Sequence, residues 1–138
     1  MALKFIDSNI FIYHLAGDEQ YGETASKIIE RISREEEAAA STLIFSQVIA
    51  YLRWKKKDFV IPKFIDFLRS TPTIHKVETI FLDFVSAQKL QEQTKIKWKS
   101  WDDLIIAAQM SRTGITKIYS NDKDFDTIPN IKRIFNET

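Results

Sequence analysis

Acidic side chains at three separate places in the chain have the chemistry to hold a metal ion together. Asp7 directly follows the apolar run 3–6, Asp103 lies at the start of an apolar segment, and Asp122 comes just after the segment 115–120. Carboxylate oxygens are hard ligands, which suit Mg²⁺ or Mn²⁺ better than soft metals. Taken singly, each aspartate also has a simpler interpretation as a turn or helix-cap residue, because Asp is favoured at such ends for local hydrogen bonding.

The composition removes most other kinds of site chemistry. The 138 residues include no cysteine and only two histidines, His14 and His75. This excludes a disulfide, a thiol nucleophile, an iron–sulfur cluster, a Cys-containing zinc site and a three-histidine zinc centre. The 20 Lys and Arg against 19 Asp and Glu give a net charge of +1. That balance argues against a protein that coats DNA or an anionic membrane by bulk electrostatics.

The length predicts a single domain, residues 1–138, because about 100–150 residues is the commonest domain size. No segment approaches the roughly 20 consecutive apolar residues of a membrane-spanning helix. The opening Met1-Ala2-Leu3-Lys4-Phe5-Ile6-Asp7 lacks the features of a signal peptide. We therefore expect a cytoplasmic protein that does not associate with a membrane.

Short predicted strands alternate with helical segments along the chain. Strands are expected near 3–6, 38–41, 73–77, 115–120 and 131–135, and helices near 8–15, 23–34, 42–53, 63–69, 80–93 and 100–112. In the helix at 80–93, Phe81, Phe84, Val85 and Leu90 are expected to face the interior. The alternation predicts an α/β protein, with a central parallel sheet in a three-layer α/β/α fold. Ligands of such sheets bind outside the carboxyl ends of the strands, the edge at which Asp7 and Asp122 would lie.

Two polar positions on the predicted helices, Asp103 and Gln47, have more than one interpretation. Ser100 and Asp103 have the spacing of a capping box, yet the first turn of a helix also points to the ligand-binding edge, so Asp103 could both cap and coordinate. Asp102 is expected to face solvent. Gln47 stands on the predicted buried stripe of its helix, where an unpartnered amide costs roughly 1–3 kcal/mol. It is either satisfied by backbone groups or faces a polar cavity.

Three blocks of the sequence resemble those of PIN domains, which are Mg²⁺- or Mn²⁺-dependent nucleases found among VapC-type toxins of toxin–antitoxin pairs. The block Phe5-Ile6-Asp7-Ser8-Asn9-Ile10-Phe11-Ile12 looks like the family's opening strand, Asp-Ser/Thr-Asn and apolar helix. The block Trp101-Asp102-Asp103-Leu104-Ile105-Ile106-Ala107-Ala108 is similar to its Asp-x-Leu/Ile-Ile-x-Ala helix start. The block Tyr119-Ser120-Asn121-Asp122-Lys123-Asp124-Phe125-Asp126 resembles its final Ser/Thr-x-Asp-x-Asp-Phe block. The resemblance is based on the three blocks together, which occur in the family's order and span nearly all of the chain.

The resemblance implies both a PIN-like fold and a function. By this likeness the chain would be a metal-dependent endoribonuclease that hydrolyses RNA phosphodiester bonds with Mg²⁺ or Mn²⁺, and the toxin of a type II toxin–antitoxin pair. The family's conserved acids map onto Asp7, Asp103 and Asp122, with Asp126, Asn9 and Ser120 as auxiliary residues. A homodimer and a small antitoxin partner are further implications of the likeness.

Gln47 departs from the family pattern, which has a glutamate at this place in the helix. Gln keeps nearly the same shape and a carbonyl oxygen, but it brings no negative charge. Either the site binds metal more weakly with three aspartates, or catalysis is impaired. The alternative function is therefore a catalytically weakened or inactive PIN-fold module that binds RNA or a partner protein. A phosphotransfer or phosphatase domain with Asp7 as nucleophile is less favoured, because position 9 is Asn and the usual Asp-x-Asp is absent.

Two basic runs could bring RNA to the acidic residues. Arg53 precedes Lys55-Lys56-Lys57, and Lys97 and Lys99 stand just before Asp103. Trp98 and Trp101 are interleaved with the second run and could stack on unpaired bases. On the simpler interpretation, both runs are solvated faces and the tryptophans are core or dimer contacts.

Overall fold

A central sheet of five parallel strands organises the protein. The computed structural model describes residues 3–136, so the outermost residues of the predicted 1–138 domain, and the first two of the opening segment, lie outside the described residues. The strands pair in the order β3-β2-β1-β4-β5, and every pairing is parallel. Their bounds are β1 Lys4–Ile6, β2 Ala38–Ser41, β3 Ile74–Val77, β4 Lys117–Tyr119 and β5 Lys132–Ile134.

Six α-helices connect the first four strands. They are α1 Ser8–Ala16, α2 Gly22–Arg34, α3 Thr42–Trp54, α4 Ile61–Arg69, α5 Phe81–Thr94 and α6 Trp101–Thr113. Three short 3₁₀ helices, Asp58–Val60, Trp98–Ser100 and Lys123–Thr127, lie in the connections. Within residues 3–136, no helix combines the length and the apolar character that crossing a membrane would require.

The helices form two layers, one on each face of the sheet. Helix α1 contacts α2 and α3, and edge-to-face rings of Phe11, Phe45 and Phe64 join α1, α3 and α4, whereas α5 packs against α6. Right-handed crossovers put α1–α4 on one face as the chain moves from β1 out to β3, and α5–α6 on the other as it returns to β4. The predicted three-layer α/β/α fold with a parallel sheet is confirmed.

The reversal of direction between β1 and β4 decides where ligands can approach. β1 and β4 are neighbours, and the connections leaving their carboxyl ends run to opposite faces, which opens a crevice at that edge. The backbone N–H of Asp7 donates to the carbonyl of Tyr119 at 2.9 Å, so the chain leaves both strands side by side. Asp7 and the loop that carries Asp122 are therefore brought together by the topology.

Helix α5 is turned differently from the sequence-based prediction. Phe81 is 80% exposed and Phe84 is 42% exposed, whereas Asp83 and Ala87 are buried against α6. The expectation that the two phenylalanines face the interior was wrong, although Val85 and Leu90 are partly covered. The apolar periodicity predicted the wrong face of α5, because the buried Asp83 carboxylate, and not an aromatic ring, lies at the contact between α5 and α6.

Asp83 anchors α5 to the helix that carries Asp103. Its carboxylate accepts hydrogen bonds from Arg112 Nε at 2.8 Å and Nη2 at 3.0 Å, from Gln109 Nε2 at 3.2 Å, and from its own N-cap amide at Ile80. Arg112 also donates to the Glu78 carbonyl at 2.9 Å. The Arg112 guanidinium and the Gln109 amide hold the pKa of the Asp83 carboxyl below its usual value despite the opposing effect of burial.

Replacing Asp83 with alanine should destabilise the fold, because the change removes the charged acceptor of Arg112 and leaves Arg112 and Gln109 with only the Glu78 carbonyl and the Thr79 hydroxyl. We expect a loss of about 2–3 kcal/mol in the free energy of unfolding, less than for a fully buried pair because the Arg112 side chain is 30% exposed. Urea denaturation measures it. The matched control is Asp66→Ala, which breaks the exposed pair with Arg69 at 3.9 Å and should change stability by less than about 1 kcal/mol. Equal losses in the two variants would contradict the anchoring role.

Candidate metal centre

Asp7 is the buried anchor of the candidate site. Its side chain is 4% exposed, and it caps α1 by accepting a hydrogen bond from the Ser8 amide at 2.8 Å through Oδ1. Oδ2 accepts from the Ser120 hydroxyl at 2.6 Å and from Asn9 Nδ2 at 3.2 Å. Both oxygens thus accept hydrogen bonds, which fix the orientation of the Asp7 carboxylate at the end of β1.

Asn9 and Ser120, the predicted auxiliary residues, link the ends of β1 and β4. Asn9 Nδ2 lies 3.3 Å from the Ser120 hydroxyl, and Asn9 Oδ1 accepts from the backbone amide of Asn121 at 3.3 Å. The Ser120 hydroxyl in turn accepts from the amide of Asp122 at 2.9 Å. These bonds hold the loop that carries Asp122 beside Asp7.

Three further carboxylates converge at the same edge of the sheet. Asp103 in the first turn of α6, and Asp122 and Asp124 in the loop after β4, each offer an oxygen such that all three oxygens lie within 4.8 Å of one another. Asp122 also caps the following 3₁₀ helix by accepting from the Asp124 amide at 2.9 Å. Because one carboxylate can both cap and coordinate, the cap role of Asp122 leaves it available to a ligand.

The crowding of negative charge shows in the acidity of two carboxyl groups. Burial, together with the neighbouring charges of Asp122 and Asp7, raises the pKa of Asp103 to about 8. Burial also raises the pKa of Asp7 to about 6, against the opposing effect of the hydrogen bonds from Ser120 and Ser8. In the absence of a cation, the site therefore favours protonated forms of groups that are ordinarily charged at neutral pH.

Asp124 is a cluster member that the sequence analysis did not nominate. Asp126, the auxiliary residue expected from the resemblance, is exposed and accepts hydrogen bonds from Arg133 Nε at 3.1 Å and Nη2 at 3.2 Å. The two-residue spacing of Asp122 and Asp124 across a tight 3₁₀ turn was the signal available in the sequence.

Ser100 acts on this loop and not as a helix cap. The predicted capping box with Asp103 was wrong, because the Ser100 side chain makes no cap hydrogen bond to α6. Its hydroxyl donates instead to Asp124 Oδ2 at 3.3 Å, which ties the start of α6 to the loop after β4. The Asp103 side chain is thereby left free to face the other carboxylates.

Gln47 contacts the first turn of α6, and the sequence alone did not predict this contact. Its Nε2 donates to Asp102 Oδ2 at 2.9 Å. Asp102 is exposed, as expected, yet it is this amide's partner. The Gln47 Oε1 atom is buried and has no hydrogen-bond partner among the residues that the structure describes. Of the two interpretations of Gln47, a backbone-satisfied amide therefore does not hold for its carbonyl oxygen.

The predicted RNA-binding residues divide into two groups. Lys97 and Lys99 line a groove that also contains Asp124, so these cations border the carboxylates. Arg53 is exposed in the last turn of α3, six residues from Gln47 and thus about 9 Å farther along the helix axis. Trp98 is 60% exposed, and its ring centroid lies 5.6 Å from that of the half-buried Trp101.

The donor set fits a hard divalent cation. Carboxylate oxygens from Asp103, Asp122 and Asp124 converge, a fourth carboxylate at Asp7 stands beside them, and the buried Gln47 oxygen lacks a donor. Mg²⁺ and Mn²⁺ prefer such oxygen ligands, and their charge relieves the repulsion that raises the pKa of Asp103. The arrangement can therefore hold an ion at the sheet edge where a ligand approaches.

Structures with similar folds are toxins and toxin–antitoxin complexes. VapC20 from Mycobacterium tuberculosis, described as a sarcin-ricin loop cleaving toxin, superposes with a TM-score of 0.75 at 16% identity over 97% of both chains. VapBC2 from Rickettsia felis, bound to a promoter DNA fragment, gives 0.72 at 16% identity over 96% of this chain and 97% of the other. DNA-bound VapBC from Salmonella typhimurium superposes with a TM-score of 0.69 at 12% identity, over 97% of this chain and 98% of the other. At these identities the likeness establishes the fold.

The family assignment comes from the sequence itself. No curated protein sequence matches this chain at a significant level. The sequence model of the PIN domain, however, matches residues 4–131, which is nearly the whole chain and includes all three blocks on which the resemblance was based. The chain belongs to the PIN domain family.

Proposed function

We propose that this PIN domain is a divalent-metal-dependent endoribonuclease that hydrolyses RNA phosphodiester bonds. The convergence of three carboxylate oxygens within 4.8 Å, at the switch point of a parallel sheet, is the observation that carries the proposal. A cluster of this kind is unfavourable in the metal-free protein, so it is best explained by a cation that binds there. Family membership adds the reaction class.

Asp103 and Asp122 are the residues best placed to hold Mg²⁺ or Mn²⁺, with Asp124 in the same cluster and Asp7 completing the negative charge. When bound, such an ion lowers the pKa of a water molecule and neutralises charge on the phosphate. Asn9 and Ser120 act indirectly, because their hydrogen bonds hold the Asp7 carboxylate beside the loop after β4. Asp126 is occupied by Arg133 and would have at most a supporting role.

The approach of RNA is assigned to the groove beside the cluster. Lys97 and Lys99 offer positive charge next to the carboxylates, which attracts a phosphate backbone to an otherwise negative site. Trp98, which stands between these two lysines in the chain, presents an exposed ring suited to stacking on an unpaired base. Arg53 would extend this positive surface along α3.

We further infer that the protein is the cytoplasmic toxin of a type II toxin–antitoxin pair, with a small antitoxin and a second copy of itself as partners. Support for the antitoxin comes from the similar structures, which include VapBC assemblies and one described as a toxin–antitoxin complex. Support for a protein partner also comes from the exposed rings of Phe81 and Phe84 on α5, which stack at 6.4 Å and leave apolar area uncovered.

A second candidate function is a PIN-fold module that binds RNA or a partner protein without cutting. Gln47 favours it, because an amide at this place contributes no charge to the cluster and cannot accept a proton as a carboxylate does. The two functions make opposite predictions for a variant that introduces the missing charge.

Cleavage of RNA should require both the metal and Asp103. With Mg²⁺ or Mn²⁺ present, we expect Asp103→Asn to lower the rate by about 100-fold or more, since it removes a ligand from the ion that activates water. EDTA should abolish cleavage by the unaltered protein. Glu92→Gln, which removes one charge from the exposed face of α5, serves as the matched control and should cleave normally. Cleavage that is indifferent to EDTA and to Asp103→Asn would overturn the proposal.

Gln47→Glu separates the nuclease from the non-cutting module. A carboxylate at position 47 adds a charged oxygen ligand, so we expect cleavage to rise by about 10-fold or more if the site is a nuclease site weakened at one ligand. The measurement is a gel assay of RNA cleavage alongside RNA binding by fluorescence anisotropy. Intact RNA binding with no cleavage by either form would favour the module.

The stability of the metal-free protein should fall as the pH rises from about 4 to 8. The carboxyl groups of Asp7 and Asp103 have folded-state pKa values of about 6 and about 8, above 3.8 in the unfolded chain, so the folded state binds more protons in this range. Thermal unfolding between pH 5 and pH 8 measures the slope. Asp103→Asn should flatten it, and saturating Mn²⁺ should raise the melting temperature more at pH 8 than at pH 5. A melting temperature that rises between pH 5 and pH 8 would contradict the raised pKa values of Asp7 and Asp103.

A further inference from the structure

The contact between Gln47 and Asp102 determines which way the amide points. A carboxylate has no proton to donate, so the atom of Gln47 that lies 2.9 Å from Asp102 Oδ2 must be the donor Nε2. The carbonyl oxygen Oε1 then has to point the other way. An amide that faced water could adopt either orientation. The orientation of this amide is set by its partner, because Asp102 can only accept a hydrogen bond.

The opposite end of the same amide is buried and unpartnered. Oε1 of Gln47 is shielded from solvent, and no residue within 3–136 donates a hydrogen bond to it. Buried carbonyl oxygens are nearly always met by a donor or a cation, so this atom calls for one. Because the side chain lies against the first turn of α6, which also carries Asp103, the candidate metal centre is where such a partner would come from.

We propose that Asp102 is a positioning residue that holds the Gln47 amide with Oε1 turned toward the divalent ion or its bound water. This inference rests on the proposed metal site and deepens it. A neutral carbonyl oxygen can serve a hard cation in place of a carboxylate, provided that the amide does not rotate its NH₂ group toward the ion. Asp102 prevents that rotation.

Asp102 is free for this role. Within the described part of the chain it takes part in no ion pair, and its recorded side-chain hydrogen bond is the one from Gln47. It is exposed, so its carboxylate is not needed to satisfy a buried group of the core. Groups that orient metal ligands from behind commonly matter nearly as much as the ligands themselves.

A double-mutant cycle tests the proposal through metal affinity. Mn²⁺ binding is measured by isothermal titration calorimetry for the unaltered protein, Asp102→Asn, Gln47→Glu and the double variant. Asn at position 102 can either donate or accept, so it no longer dictates the amide's orientation, and we expect about 10-fold weaker Mn²⁺ binding. In the Gln47→Glu background both oxygens are acceptors and need no orientation, and Asp102 would repel the new carboxylate, so Asp102→Asn should no longer weaken Mn²⁺ binding.

The controls separate this inference from the proposed function. Glu92→Gln removes one exposed negative charge elsewhere and should leave Mn²⁺ affinity unchanged, and a cooperative unfolding transition together with an unchanged circular dichroism spectrum verifies the fold of each metal-free variant. An equal loss of affinity in both backgrounds would mean that Asp102 acts by charge alone and would overturn the positioning role. If Asp103→Asn abolishes Mn²⁺ binding while Asp102→Asn is silent, only this inference fails. If the unaltered protein binds no Mn²⁺, the proposed metal site fails with it.

Discussion

Mutual repulsion between carboxylates at one edge of the sheet is the constraint around which the site is built. Asp103, Asp122 and Asp124 bring oxygens within 4.8 Å of one another, and the buried Asp7 stands beside them. Burial and the neighbouring carboxylates together raise the pKa of Asp103 to about 8, so part of the repulsion is relieved by a bound proton when no cation is present. The fold tolerates this charge because contacts with the surrounding structure hold the four residues in place.

The contacts that hold the four carboxylates join residues that are far apart in the chain. The hydroxyl of Ser120 and the amide of Asn9 bind Asp7, so the ends of β1 and β4 are joined by side chains as well as by the sheet. Ser100 binds Asp124, and the Asp83 anchor fixes the far end of α6 against α5. Rigid placement of this sort is what a metal site needs, since a divalent ion is bound only as well as its ligands are held in position.

Gln47 shows how a departure from a family pattern can be partly offset by a neighbour. An amide in place of a carboxylate removes one charge from the centre, but Asp102 lies 2.9 Å from its nitrogen and returns a charge close by. The buried, unpartnered Oε1 then remains available to the site. On this view Gln47 and Asp102 form one unit, and the effect of either residue depends on the other.

Much of this protein is determined by its sequence alone. The alternation of short apolar strands with helices, the Asp residues after strands, and the three spaced blocks determined the α/β class, the family and the nomination of Asp7, Asp103 and Asp122. These features are local, and local patterns report secondary structure and its ends. Tertiary structure alone decided that Asp124 joins the cluster while Asp126 pairs with Arg133, that Ser100 serves the loop, that Phe81 and Phe84 face outward, and that Asp102 binds Gln47. Each depends on which side chains meet once the chain has folded, and contacts between residues as far apart as positions 47 and 102 are set by packing, not by spacing along the chain.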